Sequence, residues 1–369
     1  KEKDFRISRI STQNPALGTE LHFDKHDNGI SYTLQLKDAD TTFYPSNTKI
    51  TLLLDEPAWI VAHHKLYQLQ DINSKKITPF LTKKVVEIPS KLVPDYFEKF
   101  IKDIAKKVDI TATGFEVITR EIVQNCTLQL VYDFFKNNYF IGLLFDYDGY
   151  VFDATKSKNT HSEIDLKDLN NIQLVQYKRS EAENNYTQAL LDLGLSKNEN
   201  NVFELTQNTT TQDAYTSIQW AIENKEKLES LGFSLENLKI DGKKIDSNTV
   251  TIAFSNTIQN DWFDIKMTVV CDDFEFNFSE LIPNIKNRNR LFALPNGNYF
   301  LIPSEWMTRY SAMAKLAKIK NGNLAVLKSN FAVFEDIPQL KQSLHVKESI
   351  EYHRSEEHTS ELQSRLFIS

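Results

Sequence analysis

The sequence predicts an α+β fold, with mixed antiparallel sheets, packed helices and two subdomains. Strand-like apolar runs occur along the whole chain, and helical segments separate them without the regular strand–helix alternation of a doubly wound sheet. At 369 residues and 41% hydrophobic content, the chain is long enough and apolar enough for more than one core. We expect a β-rich N-terminal subdomain over residues 1–90 and an α+β region over residues 91–337.

The N-terminal residues carry the period-two and short apolar patterns of strands. Ile30–Leu36 alternates apolar and polar side chains. Three short apolar runs follow at Ile50–Leu54, Trp59–Val61 and Leu66–Leu69. Pro94 suits the first turn of a helix, and apolar residues then recur at helical spacing as far as Val108. The pattern therefore changes from strands to a helix soon after residue 90.

The middle of the chain mixes strands and helices. Strands are predicted at Thr127–Phe135, Tyr139–Phe145, Tyr150–Phe152 and Ile172–Tyr177. The pair Asp148-Gly149 tolerates the positive φ angles of a tight hairpin turn. Helices are predicted at Arg179–Leu193 and Thr211–Leu231. The glycines that follow them, Gly194 and Gly232, suit left-handed helix stops.

The aromatic-rich stretch Asp261–Trp306 contains the densest structural signals. Strands around its start are predicted at Leu238–Ile240, Val250–Phe254 and Phe263–Val270. We predict a short helix from Ser279-Glu280, a hairpin at Asn296-Gly297 and a long final helix over Pro303–Lys320. We expect core and turn positions for the aromatic residues Trp262, Phe263, Phe274, Phe276, Tyr299 and Trp306.

The charge pattern limits the kinds of partner. A net charge of −7 lacks the basic balance of a free-standing nucleic-acid binder, so any DNA contact has to be local. The candidate nucleic-acid-binding residues on the predicted final helix are Arg309, Lys315, Lys318 and Lys320. Three of them, Arg309, Lys315 and Lys318, fall near one helix face, which is either solvated or a contact for phosphate or a motor domain. Arg288 and Arg290 form a smaller basic cluster.

The two cysteines, Cys126 and Cys271, lie in apolar strand-like runs. They are too few and too far apart for a zinc site, and we expect buried thiols, as is typical of a reducing cytoplasm. No apolar run approaches the ~20 residues of a membrane-spanning helix. We therefore expect a cytoplasmic protein without a membrane partner.

Three motifs resemble enzyme or metal sites and are better explained as strands and turns. Ile50–Trp59 is similar to the acidic strand of a nucleotide-hydrolysing site, but the required phosphate loop, Gly-x4-Gly-Lys-Ser/Thr, occurs nowhere in the chain. Asp146–Asp153 lacks the glycine and glutamate positions of a calcium loop. The pair His63-His64, if it lies on a strand, points to opposite faces and does not readily share a metal. We predict no catalytic residue, metal or cofactor in this chain.

Acidic residues crowd the start of the aromatic-rich stretch at Asp261, Asp264, Asp272, Asp273 and Glu275. Paired carboxylates could perform acid–base chemistry. Aspartate is also common at strand edges and in turns, which is the interpretation that this context favours. An unrecognised hydrolase that uses these carboxylates is an alternative, and it requires their side chains to converge in one pocket.

Both ends of the chain carry unusual features. The chain begins at Lys1 rather than at methionine, so we expect the natural start to lie upstream. Arg354–Ser364 resembles the translation of a sequencing-library adapter, and we interpret residues 354–369 as an artefactual tail. Residues 338–353 are then a connection toward a segment that this chain does not include.

Several sequence blocks occur in a characteristic order. The most specific is Leu291–Trp306, which reads LFALPNGNYFLIPSEW. The supporting blocks are Trp59–Tyr67, Pro94–Gly114, Leu128–Phe152, Arg179–Leu195 and Asp261–Asp264. Over roughly residues 50–335, this order resembles the accessory region that precedes the motor in bacterial Swi/Snf-type, superfamily-two helicase-like DNA-translocating ATPases.

The resemblance implies a parent protein that couples ATP hydrolysis to movement on double-stranded DNA. It implies a motor, with its ATP and Mg²⁺, that follows this region and is missing from the chain. The expected partners are that ATPase core in cis and, through the full-length protein, double-stranded DNA. The chain is then a non-catalytic accessory region that scaffolds or regulates the motor and its DNA access. The alternative is a free-standing β-rich module that binds protein or carbohydrate.

Overall fold

The computed structural model describes residues 10, 16–38, 41–69, 72–168, 171–206, 213–246, 250–259, 262–271, 273–327, 329–330 and 337. Several mixed sheets and packed helices fill these ranges, which confirms the predicted α+β class. The chain forms two compact units, one of residues 1–125 and 145–187, the other of residues 126–144 and 188–369. The expected connection and tail, residues 338–369, lie outside the described residues.

A mixed sheet dominates the first unit. Its strands are β1 Ala16–His26, β2 Gly29–Lys37, β3 Thr42–Phe43, β4 Thr51–Asp55, β5 Ala58–Ala62, β6 Lys65–Leu69, β7 Val86–Pro89 and β8 Asp109–Thr113. They follow the order β3-β2-β1-β6-β5-β4, with β7 added to β2 and β8 to β1. β1 is antiparallel to β2 and parallel to β6 and β8, so this sheet is mixed, and the strands predicted in this region are confirmed.

Helices cover the apolar face of this sheet. They are α1 Ser74–Thr82, α2 Val93–Tyr96, a π-helical turn Phe97–Ile101 and α3 Lys102–Ile104. Phe97, Ile101 and Ile104 are buried, which confirms the helical spacing read after Pro94. The Phe97 ring lies 6.2 Å from that of Phe23 on β1, so the helix and the sheet share one core and residue 90 lies within a single unit.

The adjacent histidines occupy a different place from the one predicted. His63 and His64 form the two-residue turn between β5 and β6, with φ angles of 48° and 60°. Positive φ at both central residues is the geometry of a tight hairpin turn, in place of the extended strand assumed from the sequence. The His63 ring packs edge-on against Phe43, with 4.9 Å between ring centroids, and this contact accounts for its position.

The chain then leaves the first unit after residue 125, returns to it at residue 145 and leaves it again after residue 187. β9 Glu116–Arg120 precedes the hairpin of β10 Asn125–Asp133 and β11 Asn138–Asp146, and β12 Val151–Asp153, β13 Thr160–Asp168 and β14 Asn171–Lys178 follow. β14 pairs antiparallel with β13 and parallel with β9 in the first unit. The turn predicted at Asp148-Gly149 is confirmed, since both residues have positive φ and the Asp148 amide donates to the Asp146 carboxylate at 2.9 Å.

The helical region after residue 179 is shorter and more divided than predicted. α4 Glu183–Asp192 is followed by Gly194 with φ 88°, as predicted. The helix predicted over Thr211–Leu231 is two helices, α5 Thr216–Glu223 and α6 Lys225–Ser230, with Asn224 between them at φ −99° and ψ 12°. The Asn224 side chain donates to the Trp220 carbonyl at 2.9 Å, and this local bond competes with the continuing helix.

In its described residues, the second unit contains three sheets. Its further strands are β15 Leu195–Lys197, β16 Phe203–Leu205, β17 Phe233–Ser234, β18 Lys239–Ile240, β19 Lys243–Asp246, β20 Val250–Gln259, β21 Trp262–Cys271, β22 Phe274–Asn277, β23 Leu291–Ala293, β24 Tyr299–Leu301, β25 Lys318–Lys320 and β26 Asn323–Leu327. The sheet orders are β15-β16-β11-β10-β17, β18-β19-β24-β23 and β20-β21-β26-β25, with β22 paired to β21. The hairpin predicted at Asn296-Gly297 is confirmed as the turn between β23 and β24.

Three more short helices lie in the described part of this unit. They are α7 Ile282–Lys286, α8 Ser304–Arg309 and α9 Ser311–Leu316, and a 3-10 turn, Phe278–Leu281, leads into α7. The core packs Phe278, Trp306 and Tyr310 together, with the Phe278 ring 4.7 Å from that of Tyr310. Phe263 and Trp306 are buried and Phe276 packs against the same cluster, so the aromatic-rich stretch is a folding unit, as expected.

The final helix predicted over Pro303–Lys320 is wrong beyond Leu316. Tyr310, at φ −97° and ψ 2°, separates α8 from α9, and Ala317 is extended. The pair Asn321-Gly322, with φ angles of 50° and 80°, closes a tight hairpin between β25 and β26. Strand pairing therefore replaces the last helical turn, and Lys318 and Lys320 lie on an edge strand.

Both thiols, Cys126 and Cys271, are buried, as predicted. No helix in the described ranges combines the length and the apolar character that crossing a membrane requires.

Candidate nucleic-acid interface

Three of the four predicted basic residues line two separate surfaces of the second unit, and Arg309 lines neither. Lys315 is exposed on α9 and lines a groove with residues of α7 and α8. Arg309 ends α8, half-buried beside the Tyr310 hydroxyl, whose pKa is raised by burial against the opposing effect of this guanidinium. Lys318 and Lys320 project from β25 into a separate cavity. The structure therefore does not form the single basic helix face that the sequence predicted.

The groove between α7 and the α8–α9 pair is the most basic of these surfaces, and we call it the α7–α9 groove. Its volume is 770 Å³, and its lining includes Lys286, Arg288, Met307, Thr308, Ser311 and Lys315. Lys286, Arg288 and Lys315 are all exposed, so their charged groups are available to solvent or to a ligand. Sequence reasoning named Lys315 and Arg288 in different clusters and missed Lys286.

Local hydrogen bonds hold the loop that carries Arg288. The Asn284 side-chain amide donates to the Asn289 carbonyl at 3.2 Å and to the Leu291 carbonyl at 2.7 Å. Arg288 has φ 55°, an uncommon conformation for a non-glycine residue, at the point where the chain turns back after α7. The turn presents Arg288 at the groove beside Lys286.

Arg290 has a structural role, unlike its neighbour Arg288. Its guanidinium is buried and bonds to both Asp213 oxygens at 2.9 Å. Its Nε donates to the Ile302 carbonyl at 2.7 Å, and its Nη2 donates to the Gln219 side-chain oxygen. These bonds satisfy a buried cation, so Arg290 joins α5, β23 and the segment before α8 and contributes little free charge to the groove.

The second cavity, which we call the β21 cavity, lies on one face of the sheet that contains β21, β26 and β25. Its volume is 560 Å³, and it is lined by Trp262, Asp264, Lys318, Lys320, Asn321, Asn323 and Ala325. The Lys318 ammonium lies 5.2 Å from the centroid of the Trp262 ring. Oδ1 of Asp264 is buried and accepts no hydrogen bond from the described residues. A buried acceptor without a hydrogen bond lowers stability by about 1–3 kcal/mol, so a hydrogen bond donated to Asp264 would recover part of that free energy.

The structure separates Asp264 from Glu275, two of the five acidic residues that the hydrolase alternative requires in one pocket. Glu275 pairs with Val270, six residues along β21 from Asp264, which corresponds to about 20 Å. Asp261 and Asp272 lie outside the described residues. Among the residues that the structure describes, no group of three His, Cys, Asp or Glu side chains is placed to hold a metal ion.

The strand that resembles a nucleotide-hydrolysing motif ends in an ordinary turn. β4 lies at the edge of its sheet, and the Asp55 carboxylate at its end accepts a hydrogen bond from the Ser74 hydroxyl of α1. Glu56-Pro57 forms the turn into β5. Asp55 therefore has a structural partner at the start of a helix.

Comparison with known families decides the family of this fold. A family model described as "Bacterial SNF2 helicase associated" matches residues 3–367, nearly the whole chain. The chain belongs to this family. The resemblance inferred from the ordered sequence blocks is thereby confirmed and extends beyond residues 50–335, through most of the adapter-like segment. No curated protein matches the chain.

Membership defines the context of both surfaces. The family is named for its association with bacterial SNF2 helicases, so this chain is an accessory region of such a protein. The α7–α9 groove and the β21 cavity both belong to the second unit, and so does the most specific sequence block, Leu291–Trp306. The candidate sites therefore lie in the same unit as the block Leu291–Trp306.

Proposed function

We propose that this chain is a non-catalytic region of a bacterial SNF2-type, ATP-dependent DNA translocase that scaffolds the motor and helps to set its access to DNA. ATP and Mg²⁺ belong to the motor, which lies outside this chain. The observation that carries the proposal is the α7–α9 groove, where Lys286, Arg288 and Lys315 line one cavity. Family membership supports a helicase context for these cations.

The groove suits the phosphate backbone of DNA because three cationic side chains are clustered in it. The chain has a net charge of −7, so long-range attraction to DNA is weak and three clustered cations dominate any contact. Lysine and arginine that neutralise phosphates release counterions, and each contact changes the slope of log affinity against log salt by about 0.9. Such contacts position a protein on DNA without reading its sequence.

The test is the salt dependence of duplex binding. We expect the combined changes Lys286→Glu, Arg288→Glu and Lys315→Glu to lower duplex affinity about tenfold or more at low salt. The slope of log affinity against log salt is negative, and its magnitude should decrease by about 3, about one for each lost contact. Both quantities can be measured by fluorescence anisotropy with a labelled duplex of mixed sequence.

A matched control separates the groove from net charge. The exposed lysines Lys197, Lys227 and Lys239 belong to the same unit but do not line the groove, and changing all three to Glu alters net charge equally. We expect this control to retain most of the affinity and the original salt slope. Wild-type affinity and slope in the groove variant would remove the α7–α9 groove from the proposal.

A further inference from the structure

The β21 cavity is built by the pairing of three strands. Asp264 of β21 pairs with Ala325 of β26, and Ala325 pairs with Lys318 of β25, so these residues form one row across the sheet. Trp262 and Lys320 lie two residues along their own strands, on the same face as Asp264 and Lys318. The small Ala325 side chain between the charged residues leaves a depression bounded by an indole, a carboxylate and two ammonium groups.

Asp264 indicates what a ligand has to provide at the bottom of this depression. Its Oδ1 is buried and accepts no hydrogen bond within the described part of the chain, although an ionised carboxylate only accepts. The neighbouring Lys318 ammonium is held over the Trp262 ring, 5.2 Å from its centroid, and forms no ion pair with Asp264 among the described contacts. Oδ1 is closed to solvent, so a ligand that satisfies Asp264 brings a hydrogen-bond donor, N–H or O–H, and requires the carboxylate to turn toward the cavity.

The rim of the cavity requires a different chemistry. Lys318 and Lys320 are exposed cations, and Asn321 and Asn323 add amide groups beside them. Trp262 supplies a flat apolar wall next to Asp264. A ligand that fits all three parts combines hydrogen-bond donors, a planar ring and an anionic group, and a nucleotide has this combination. The volume of 560 Å³ lies within the range of small-molecule sites, about 300–1,000 Å³.

The carboxylate selects among the bases. Guanine presents its N1–H and its 2-amino group side by side, which matches the two acceptor oxygens of a carboxylate. Uracil and thymine present one N–H between two carbonyl acceptors, and the amino groups of adenine and cytosine stand beside a ring acceptor. We infer that the β21 cavity binds a guanine nucleotide. The base takes the place of the Lys318 ammonium over Trp262 and bonds to Asp264, and Lys318 turns with Lys320 to the phosphate.

The first test compares nucleotides by isothermal titration on the full chain. We expect GMP to bind about tenfold more tightly than AMP, CMP or UMP, because each lost or mismatched hydrogen bond at a buried acceptor weakens binding by such a factor. Lys318→Ala with Lys320→Ala should weaken GMP binding by about tenfold or more, through loss of phosphate contacts. The control Lys197→Ala with Lys239→Ala should leave GMP binding unchanged. Equal affinity for all four nucleotides, or no binding, would overturn the inference.

The second test exchanges the hydrogen-bonding pattern of the carboxylate. Asp264→Asn keeps the size of the side chain but offers one acceptor and one donor. Xanthine presents N1–H beside a carbonyl, so this variant should prefer XMP over GMP, the reverse of the wild-type order. A purely structural role for Asp264 would not reverse the order. Loss of GMP binding without a gain in XMP binding would contradict direct contact between Asp264 and the base.

The source of the guanine is decided by a third comparison. A single-stranded oligodeoxynucleotide with one central dG in a dT background is titrated beside GMP and beside an all-dT strand. Tighter binding of the dG strand than of GMP assigns the cavity to an unpaired base of single-stranded DNA. Equal binding of both assigns it to a free guanine nucleotide. Failure of the groove variant to affect duplex binding leaves these outcomes untouched, because the two surfaces have different lining residues.

Discussion

Arg288 and Arg290 lie two positions apart in sequence and have opposite roles. Arg290 is buried and bonded through each of its three nitrogens, to Asp213, Gln219 and Ile302, whereas Arg288 is exposed on the α7–α9 groove. The sequence places both in one basic cluster, because spacing alone does not show which guanidinium meets a carboxylate 77 positions away. Asp213 itself carries no sequence signal, which is why the pair could not be predicted.

The Arg290–Asp213 pair leads to an ordered set of stabilities. Asp213→Ala leaves a buried arginine without its carboxylate and should lower the free energy of unfolding by about 3–5 kcal/mol. It also removes the acceptor of the hydrogen bond that the Tyr215 backbone amide donates at 2.9 Å. Arg290→Met removes the buried charge and should cost less, because Asp213 is partly exposed and can be solvated.

The exposed neighbour serves as the control for this comparison. Arg288→Met should change the free energy of unfolding by less than about 0.5 kcal/mol, since surface positions tolerate substitution. Urea unfolding followed by circular dichroism ranks the three variants. A smaller loss for Asp213→Ala than for Arg290→Met would show that the buried charge does not control stability here.

At the scale of elements, local patterns predicted most strands and some helix ends. The stop at Gly194 and the hairpins at Asp148-Gly149 and Asn296-Gly297 depend only on neighbouring residues, and all three are confirmed. The final helix is wrong because a local signal competes with it: Asn321-Gly322 forms a tight hairpin turn, and Lys318–Lys320 pairs with β26 across that turn. The β21 cavity also depends on the pairing of β21 with β26, which joins residues far apart in sequence, such as Asp264 and Ala325. Local patterns do not predict that pairing.

The tip of the β10–β11 hairpin is an element with unusual exposure. Phe134 is 81% exposed and Phe135 is 98% exposed. The Asp133 carboxylate accepts hydrogen bonds from the Phe135 amide at 2.9 Å and from the Lys136 amide at 3.1 Å, so the turn that presents these rings is held in place. Exposed aromatic pairs are typical of protein contacts, and under the proposed function the expected partner is the motor.

Changing this tip should separate stability from docking. Phe134→Ser with Phe135→Ser should alter the free energy of unfolding by less than about 0.5 kcal/mol, because neither ring contributes to a core. The same variant should bind the separately expressed motor of the parent protein about tenfold more weakly, through loss of two aromatic anchors. Surface plasmon resonance measures the affinity.

The control for the tip is another exposed apolar pair. Leu53 and Leu54 on β4 are 52% and 58% exposed, so changing both to Ser removes exposed apolar surface from a different element. We expect motor affinity to remain at the wild-type value in that control. Unchanged affinity in the tip variant would exclude the hairpin tip from motor docking.

At the scale of the whole molecule, the fold class and the family were predictable, and the division into units was not visible. The α+β class is predicted from many local patterns, and the family is predicted from the order of several sequence blocks. A wrong prediction for one element therefore changes neither the class nor the family. Each unit is assembled from separated segments, with changes at residues 125, 144 and 187. Such discontinuous units leave no linker or composition shift in the sequence.

The absence of a phosphate loop from all 369 residues leads to a prediction for the whole chain. Purified protein with Mg²⁺, ATP and duplex DNA should release no phosphate above background, because nothing supplies the backbone amides and lysine that hold a β/γ-phosphate. Asp55, the best imitation of a catalytic carboxylate, is engaged by Ser74 at the end of an edge strand. Turnover that Asp55→Asn abolishes would show a catalytic site in this chain and would reject the proposed division between an accessory region and a separate motor.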